Sequence, residues 1–220
     1  MSGPRFDRPR AILFDWDNTL VDNWAVIRAA LNAALTAMGQ APWSLAETKA
    51  RVRASLRDSF PRMFGERWRD AEKIFYGRFA ETHLVELREM PGAGRLLTEL
   101  AAAGLTLGVV SNKRGGYLRA EAAHLGWAGH FHRLVGSGDA KADKPAPEPV
   151  RLALEGVGLA PGPGVWFVGD ADIDLVCAAA SGCLPVLLRE APPEAGEFAS
   201  HPPALHLKTC AELAEFIEKL

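Results

Sequence analysis

The sequence predicts an α/β protein: a parallel sheet with helices on both faces, interrupted by one all-helical insert. Three observations carry this prediction. Beyond Met90, short apolar runs alternate with segments of helical period, the pattern of strand–helix–strand crossovers. Between Trp24 and Glu89 every patterned segment is helical, so that block falls between the first strand and the second. The residues just past the apolar runs are Asp, Ser and Asn, polar groups placed at one edge of a parallel sheet.

Ala11–Phe14 (AILF) is a short apolar run, expected to be a strand buried on both faces. From Trp24 to about Met38 apolar residues recur at helical spacing, and Gly39 supplies a stop. Ser44 to Leu56 and Arg67 to Leu87 are also expected as helices. The RDSFPRMFG stretch between them is broken by Pro61 and Gly65.

PGAGRLLTELAAAG is a helix closed by glycine, and LTLGVV is a strand ending in SNK. Gly115 to Leu125 forms a helix, Arg133 to Gly136 a short strand and Ala146 to Val157 a helix. VWFVGD is a strand, Asp172 to Ala180 a helix and LPVLL a strand. The tail adds a weak strand, Ala204 to Leu207, and a helix, Ala211 to Leu220. EAPPEAGEFASHPP forms a polar, proline-rich surface loop.

Composition narrows the function classes. A chain of 220 residues, 48% apolar and 24% charged, can bury a core as one domain carrying an insert. The formal net charge of −2 gives no basic field for nucleic acid. Cys177, Cys183 and Cys210 are an odd set without CxxC spacing, the pattern of reduced thiols instead of a disulfide framework or a zinc site. MSGPRFDRPR is not followed by a leader-like apolar run, and no stretch reaches the length of a membrane span. The expectation is a cytoplasmic monomer or homodimer with no nucleic-acid or membrane partner.

The strand ends hold the chemistry. The first strand runs into Asp15 and Asp17, which share a side at i and i+2 while Trp16 faces elsewhere. The second is followed by Ser111 and Asn112, and the fourth by Asp170, with Asp174 four residues on at a helix start. The loop after the third, DAKADKPAPEP, carries Lys141 and Lys144. Crowded carboxylates repel unless a hard cation joins them. Magnesium suits that role, because it takes oxygen ligands and commonly shares them with a substrate phosphate. A lysine and a hydroxyl opposite suit a phosphoryl group. A carboxylate can attack phosphorus, and a second can move the proton.

DWDNTL, SNK, KPAPEP and GDADID together resemble the four ordered motifs of the haloacid dehalogenase (HAD) superfamily of aspartate-nucleophile phosphatases. Within it the likeness is to the phosphoglycolate-phosphatase-like group with a helical cap, and it extends over nearly the whole chain. The resemblance implies a Rossmann-like core, residues 1–21 and 90–220, with an all-α cap of the C1 type at 22–89. It implies hydrolysis of the phosphate monoester of a small metabolite, phosphoglycolate-like or a sugar phosphate, through an aspartyl-phosphate.

By the same resemblance, Asp15 is the nucleophile and Asp17 the general acid/base, its backbone carbonyl also facing the metal. Thr19 supports the loop, while Ser111, Asn112 and Lys144 hold the phosphoryl group. Asp15, Asp17, Asp170 and Asp174 form the magnesium site. Trp16 and Ala171 depart from the family pattern, which usually has an aliphatic residue or Phe at the first place and Ser or Thr at the second.

A phosphomutase of the superfamily tends to lose the GDxxxD arrangement, which is intact here, and a dehalogenase lacks the second aspartate. A non-catalytic binding module would be expected to lose one of Asp15, Asp17, Lys144 or Asp170. Asp172 is assigned to helix-start polarity, Lys141 to a solvated loop, and His124, His130 and His132 to the surface or half-buried shell. The insert's arginines, Arg51, Arg53, Arg57, Arg62, Arg67 and Arg69, form a mostly solvated face. Arg57 and Arg62, near the Pro61 break, are the candidates for reaching a substrate's distal anion.

Overall fold

The structure, a computed structural model, describes residues 6–52 and 54–220. Residues 1–5 of the expected core and Arg53 of the arginine set lie outside the described residues. The first half comprises β1 (Ala11–Phe14), β2 (Val21–Asp22), α1 (Trp24–Ala37), α2 (Leu45–Arg51), α3 (Leu56–Phe64), α4 (Trp68–Thr82) and β3 (Arg88–Glu89). It is followed by α5 (Ala93–Ala102), β4 (Thr106–Arg114), α6 (Gly115–His124), β5 (Arg133–Ser137), α7 (Glu148–Leu154) and β6 (Val165–Gly169). The chain then forms α8 (Asp172–Ser181), β7 (Leu184–Leu188), β8 (Leu205–Leu207) and α9 (Cys210–Glu218).

β1 is apolar throughout because it lies inside a six-stranded parallel sheet of order β5-β4-β1-β6-β7-β8. Its residues alternate between two cores, as the period of two requires. Ile12 and Phe14 join one cluster with Leu107, Val109, Val168 and residues of α5, α6 and α9. Ala11 and Leu13 join the other with Val110, Phe167 and residues of α7 and α8. Helices therefore cover both faces, and the strand order reverses beside β1, where open α/β sheets bind their ligands.

Helices α1, α3 and α4 bury a separate apolar cluster around Ala30, Leu35, Phe60, Phe75 and Phe79. Gly39 ends the α1 region at φ +77°, a left-handed conformation that glycine adopts without steric penalty. Ser44 opens α2 with a reciprocal capping box to Glu47.

The block from Trp24 to Glu89 is not purely helical. Val21–Asp22 and Arg88–Glu89 pair as an antiparallel ribbon where the chain leaves and re-enters the sheet region. Two-residue strands are too short for an alternation to register in sequence.

A second correction concerns RDSFPRMFG, which is mostly helix. Pro61 lies inside α3, and the Ser55 side chain caps that helix by accepting from the Asp58 N–H. Proline there removes one donor, while Phe60 and Phe64 bury the apolar face that keeps the turn in place. The flanking helices are correspondingly shorter than the apolar period suggests, α2 stopping at Arg51 and α4 at Thr82. Among the described residues no helix is long and apolar enough to cross a membrane. All three cysteines are buried and free of disulfides, and burial lifts the Cys177 thiol to about 12.

Candidate active site

Asp15 leaves β1 with its N–H donating to the Val168 carbonyl of β6 at 2.8 Å, so the sheet itself aims this residue. The chain then doubles back, with the N–H groups of Leu20 and Val21 both donating to the Trp16 carbonyl. Asn18 takes φ +66° in this turn, a conformation that asparagine tolerates better than most residues. Thr19 is buried in the loop and donates from Oγ1 to Asp170 Oδ1 at 3.3 Å.

Asp170 follows β6, and Asp174 sits in the first turn of α8, where its Oδ2 accepts from the Ala171 N–H at 3.1 Å. A Cβ on Gly169 would overlap the Asp174 carboxylate, so glycine at that position is a condition for Asp174 to lie where it does. Asp172, the first residue of α8, remains a helix-start residue.

Lys144 ties the centre together. Its Nζ donates to Asp15 Oδ1 at 2.6 Å and to Asp174 Oδ1 at 2.7 Å, with only 2% of the side chain exposed. Carboxylate oxygens of Asp15, Asp170 and Asp174 lie within 4.8 Å of one another. Burial, opposed by Lys144 and reinforced by Asp174, raises Asp15 to about 7. Burial, together with Asp174 and Asp15, also holds Asp170 well above the usual carboxylate range. For Lys144, burial pulls downward, yet Asp15 and Asp174 outweigh it and hold the ammonium above its ordinary value. Three carboxylates facing one ammonium leave a surplus of negative charge, and all the donors are hard oxygens. Such a set fits magnesium.

The remaining expected residues fall into three groups. Ser111 is buried, lines the cavity described below and accepts from the Lys113 N–H at 3.2 Å. Asn112 also lines the cavity, but its amide clamps the Lys144 backbone, donating to the carbonyl at 3.1 Å and accepting from the N–H at 3.0 Å. A register shift between Val110 and Arg114 of β4 re-aims this segment. Asp17 stands apart from the three-carboxylate cluster: its Oδ1 accepts from Lys113 Nζ and Asn23 Nδ2, both at 2.7 Å.

Arg57 and Arg62 do not line the cavity. The Arg57 Nε instead faces Asp143 Oδ2 at 3.4 Å, beside Lys144, and Asp143 also accepts from Ser137 Oγ and the Gly138 N–H. Arg57 therefore joins α3 to the loop that carries Lys144. Lys141 is exposed, as are His124 and His132, while His130 is half-buried.

The cavity measures about 1050 Å³. It is lined by Asp15, Ser111, Lys144 and Asp170, by Ile27, Leu31, Leu56, Met63 and Phe75 of α1, α3 and α4, and by Trp43 between α1 and α2. Lys49, Arg51, Arg114 and Arg189 also reach it. The Lys49 ammonium lies 5.6 Å from the Trp24 ring centroid, and the guanidinium groups of Arg51 and Arg114 lie 4.7 Å from those of Trp43 and Tyr76.

Several polar residues behind Asp17 escape notice in the sequence. Glu121 of α6 is wholly buried. Its Oε2 accepts from Trp16 Nε1 at 2.7 Å, Lys113 Nζ at 2.6 Å and Asn23 Nδ2 at 3.3 Å, while Oε1 pairs with His83 Nδ1 at 3.0 Å. Lys113 directly follows Ser111 and Asn112, so its position in SNK was an available signal. For Glu121 and His83 no local pattern distinguishes a buried partner from a solvated charge.

A family model described as haloacid dehalogenase-like hydrolase matches residues 12–187. The phosphoglycolate phosphatase of Rhodospirillum rubrum is 33% identical over 192 residues, covering 82% of this chain and 79% of the relative. That of Photorhabdus laumondii is 31% identical over 183 residues, covering 79% and 77%. Among solved structures, a HAD-superfamily hydrolase from Ehrlichia chaffeensis superposes with a TM-score of 0.68 at 28% identity, covering 98% of this chain and 99% of that one. A haloacid dehalogenase-like family protein from Streptococcus pneumoniae gives 0.82 at 21% identity, covering 95% and 98%.

Proposed function

The chain belongs to the haloacid dehalogenase-like hydrolases, and from that premise we propose that it hydrolyses the phosphate monoester of a small metabolite through a phosphorylated Asp15, with magnesium as cofactor. The observation that carries this reading is the meeting of Asp15, Asp170, Asp174 and Lys144 at the carboxyl edge of the sheet. The phosphoglycolate phosphatases among its relatives support a small anionic ester as substrate, phosphoglycolate-like or a sugar phosphate.

Asp15 attacks phosphorus as the bond to the leaving oxygen breaks, giving an aspartyl-phosphate and a free alcohol. Protonated Asp17 gives its proton to that departing oxygen. As a carboxylate it then takes a proton from the water that attacks the acyl phosphate, which frees Asp15 and releases phosphate. Lys144, buried against Asp15 and Asp174, keeps a fixed positive charge beside the phosphoryl group, and Ser111 offers a hydroxyl donor. Asn112 holds the Lys144 backbone, so its part in phosphate binding is to position the lysine. Asp15, Asp170, Asp174 and the Asp17 carbonyl would hold magnesium, which would supply positive charge against the phosphoryl oxygens.

Residues 22–89 act as the cap over the core formed by 1–21 and 90–220. They wall the cavity, exclude bulk water and select the leaving group. The test is phosphate release from a panel of small phosphate esters, with magnesium and with chelator. Wild type should release phosphate only with the metal, and Asp15→Asn should be inert while keeping its circular dichroism spectrum. Activity in folded Asp15→Asn would overturn the nucleophile, and a folded wild type inert toward every ester would overturn the function.

A further inference from the structure

We infer that Glu121 is a positioning residue for proton transfer, holding Asp17 in register through Lys113 and coupling it to the helical insert through His83. The inference rests on the proposed hydrolysis and concerns residues behind the reacting groups.

A glutamate with no exposed surface is costly unless fully partnered, and apolar replacements of similar volume often serve stability as well or better. On α6 the neighbouring inward positions, Leu118 and Ala122, are apolar. Glu121 interrupts that face and gathers donors from four places: Trp16 in the turn after β1, Asn23 before α1, His83 at the end of α4, and Lys113 in β4. Two of these partners converge on one carboxylate in the site. Lys113 Nζ bridges Glu121 Oε2 and Asp17 Oδ1 at 2.6 and 2.7 Å, and Asn23 Nδ2 bridges the same two oxygens at 3.3 and 2.7 Å.

Both tethers take Asp17 by Oδ1, which orients Oδ2 as the oxygen that exchanges the proton. Without Glu121, the Lys113 ammonium would be held by Asp17 alone, and the side chain that moves the proton would lose its fixed bearing. His83 extends the chain to the insert. Its ring pairs with Glu121 Oε1 at 3.0 Å and packs against Phe79 and Tyr117, with centroids 5.1 and 4.8 Å away. The bulky Trp16 fits this scheme, since its indole N–H supplies a donor to Glu121 that an aliphatic side chain at that position cannot.

The experiment compares kcat/KM on two esters that differ in their need for a proton. An alkyl phosphate requires protonation of its leaving oxygen, whereas p-nitrophenyl phosphate releases a stable phenolate. Because kcat/KM covers only the steps through departure of the leaving group, it isolates this proton transfer. Glu121→Gln should lower kcat/KM on the alkyl ester by about 100-fold and on p-nitrophenyl phosphate by less than about threefold.

The double replacement Glu121→Leu with Lys113→Met removes both charges together and should show the same selectivity, which keeps the test open if the single variant does not fold. Equal losses on the two esters, or no loss, would overturn the inference and leave Glu121 a structural residue. Asp17→Asn is the control. If it lacks the selectivity, or if wild type hydrolyses neither ester, the proposed hydrolysis fails and this inference falls with it.

Discussion

Two buried charge clusters lie on either side of the turn after β1, and they are built on opposite principles. Around Lys144, the carboxylates of Asp15, Asp170 and Asp174 outnumber the single ammonium, and burial raises both Asp15 and Asp170. Around Glu121, donors from Trp16, Asn23 and Lys113 meet one carboxylate oxygen and His83 meets the other, so the group is satisfied from within. The first cluster lacks positive charge and is suited to receive a cation and a phosphoryl group. The second has both Glu121 oxygens partnered, though the buried Asn23 Oδ1 beside them accepts no hydrogen bond, and it is suited to hold Asp17 still. Both are polar and buried, yet only around Lys144 do three carboxylates crowd a single ammonium.

The comparison can be broken most directly at Lys144. Lys144→Met leaves buried carboxylates without their ammonium, and in metal-free protein at pH 8 it should lower unfolding stability by about 3 kcal/mol. The loss should shrink at pH 5, where the carboxylates can take protons instead. Urea titration at the two pH values checks this. A loss independent of pH would mean that the centre is not governed by surplus negative charge.

Next in size is the response to pH and metal. Asp15 is raised to about 7, so the folded state keeps a proton that the unfolded chain gives up in the ordinary carboxylate range. Its contribution to metal-free stability is therefore retained at low pH and lost as pH rises from about 4 to about 7. A divalent cation acts in the opposite sense. Magnesium should raise the unfolding midpoint by several degrees at pH 8 and hardly at all at pH 5. Equal gains at both would remove the distinction between the two clusters.

The smallest effect belongs to Arg57, whose contact with Asp143 spans the insert and the Lys144 loop at 3.4 Å while nearly half of its side chain stays exposed. Arg57→Ala should cost less than about 1 kcal/mol by chemical unfolding. A loss near 3 kcal/mol would put this contact among the buried charges instead of the solvated ones.

Much of the molecule was legible from pattern. Ala11–Phe14 and Leu184–Leu188 stand as strands with the bounds their apolar runs suggest. The four ordered motifs point to the haloacid dehalogenase-like hydrolases, and that family's model covers residues 12–187. Illegible were the ribbon of Val21–Asp22 with Arg88–Glu89, too short for a period, and the helix through Pro61, which is supported by Phe60 and Phe64 packing on other helices. Arg57 and Arg62 looked equivalent in sequence. Folding turned Arg57 toward Asp143 and left the cavity to other cations.

The sequence by itself determined the strand–helix alternation, the residues at each strand end and the family, because hydrophobic period and motif spacing are properties of neighbouring residues. Only the tertiary structure decided which charges are partnered. Glu121 meets Trp16, Asn23 and His83 across 105, 98 and 38 positions of chain. A carboxylate's environment depends on what surrounds it in space, and no local pattern records that.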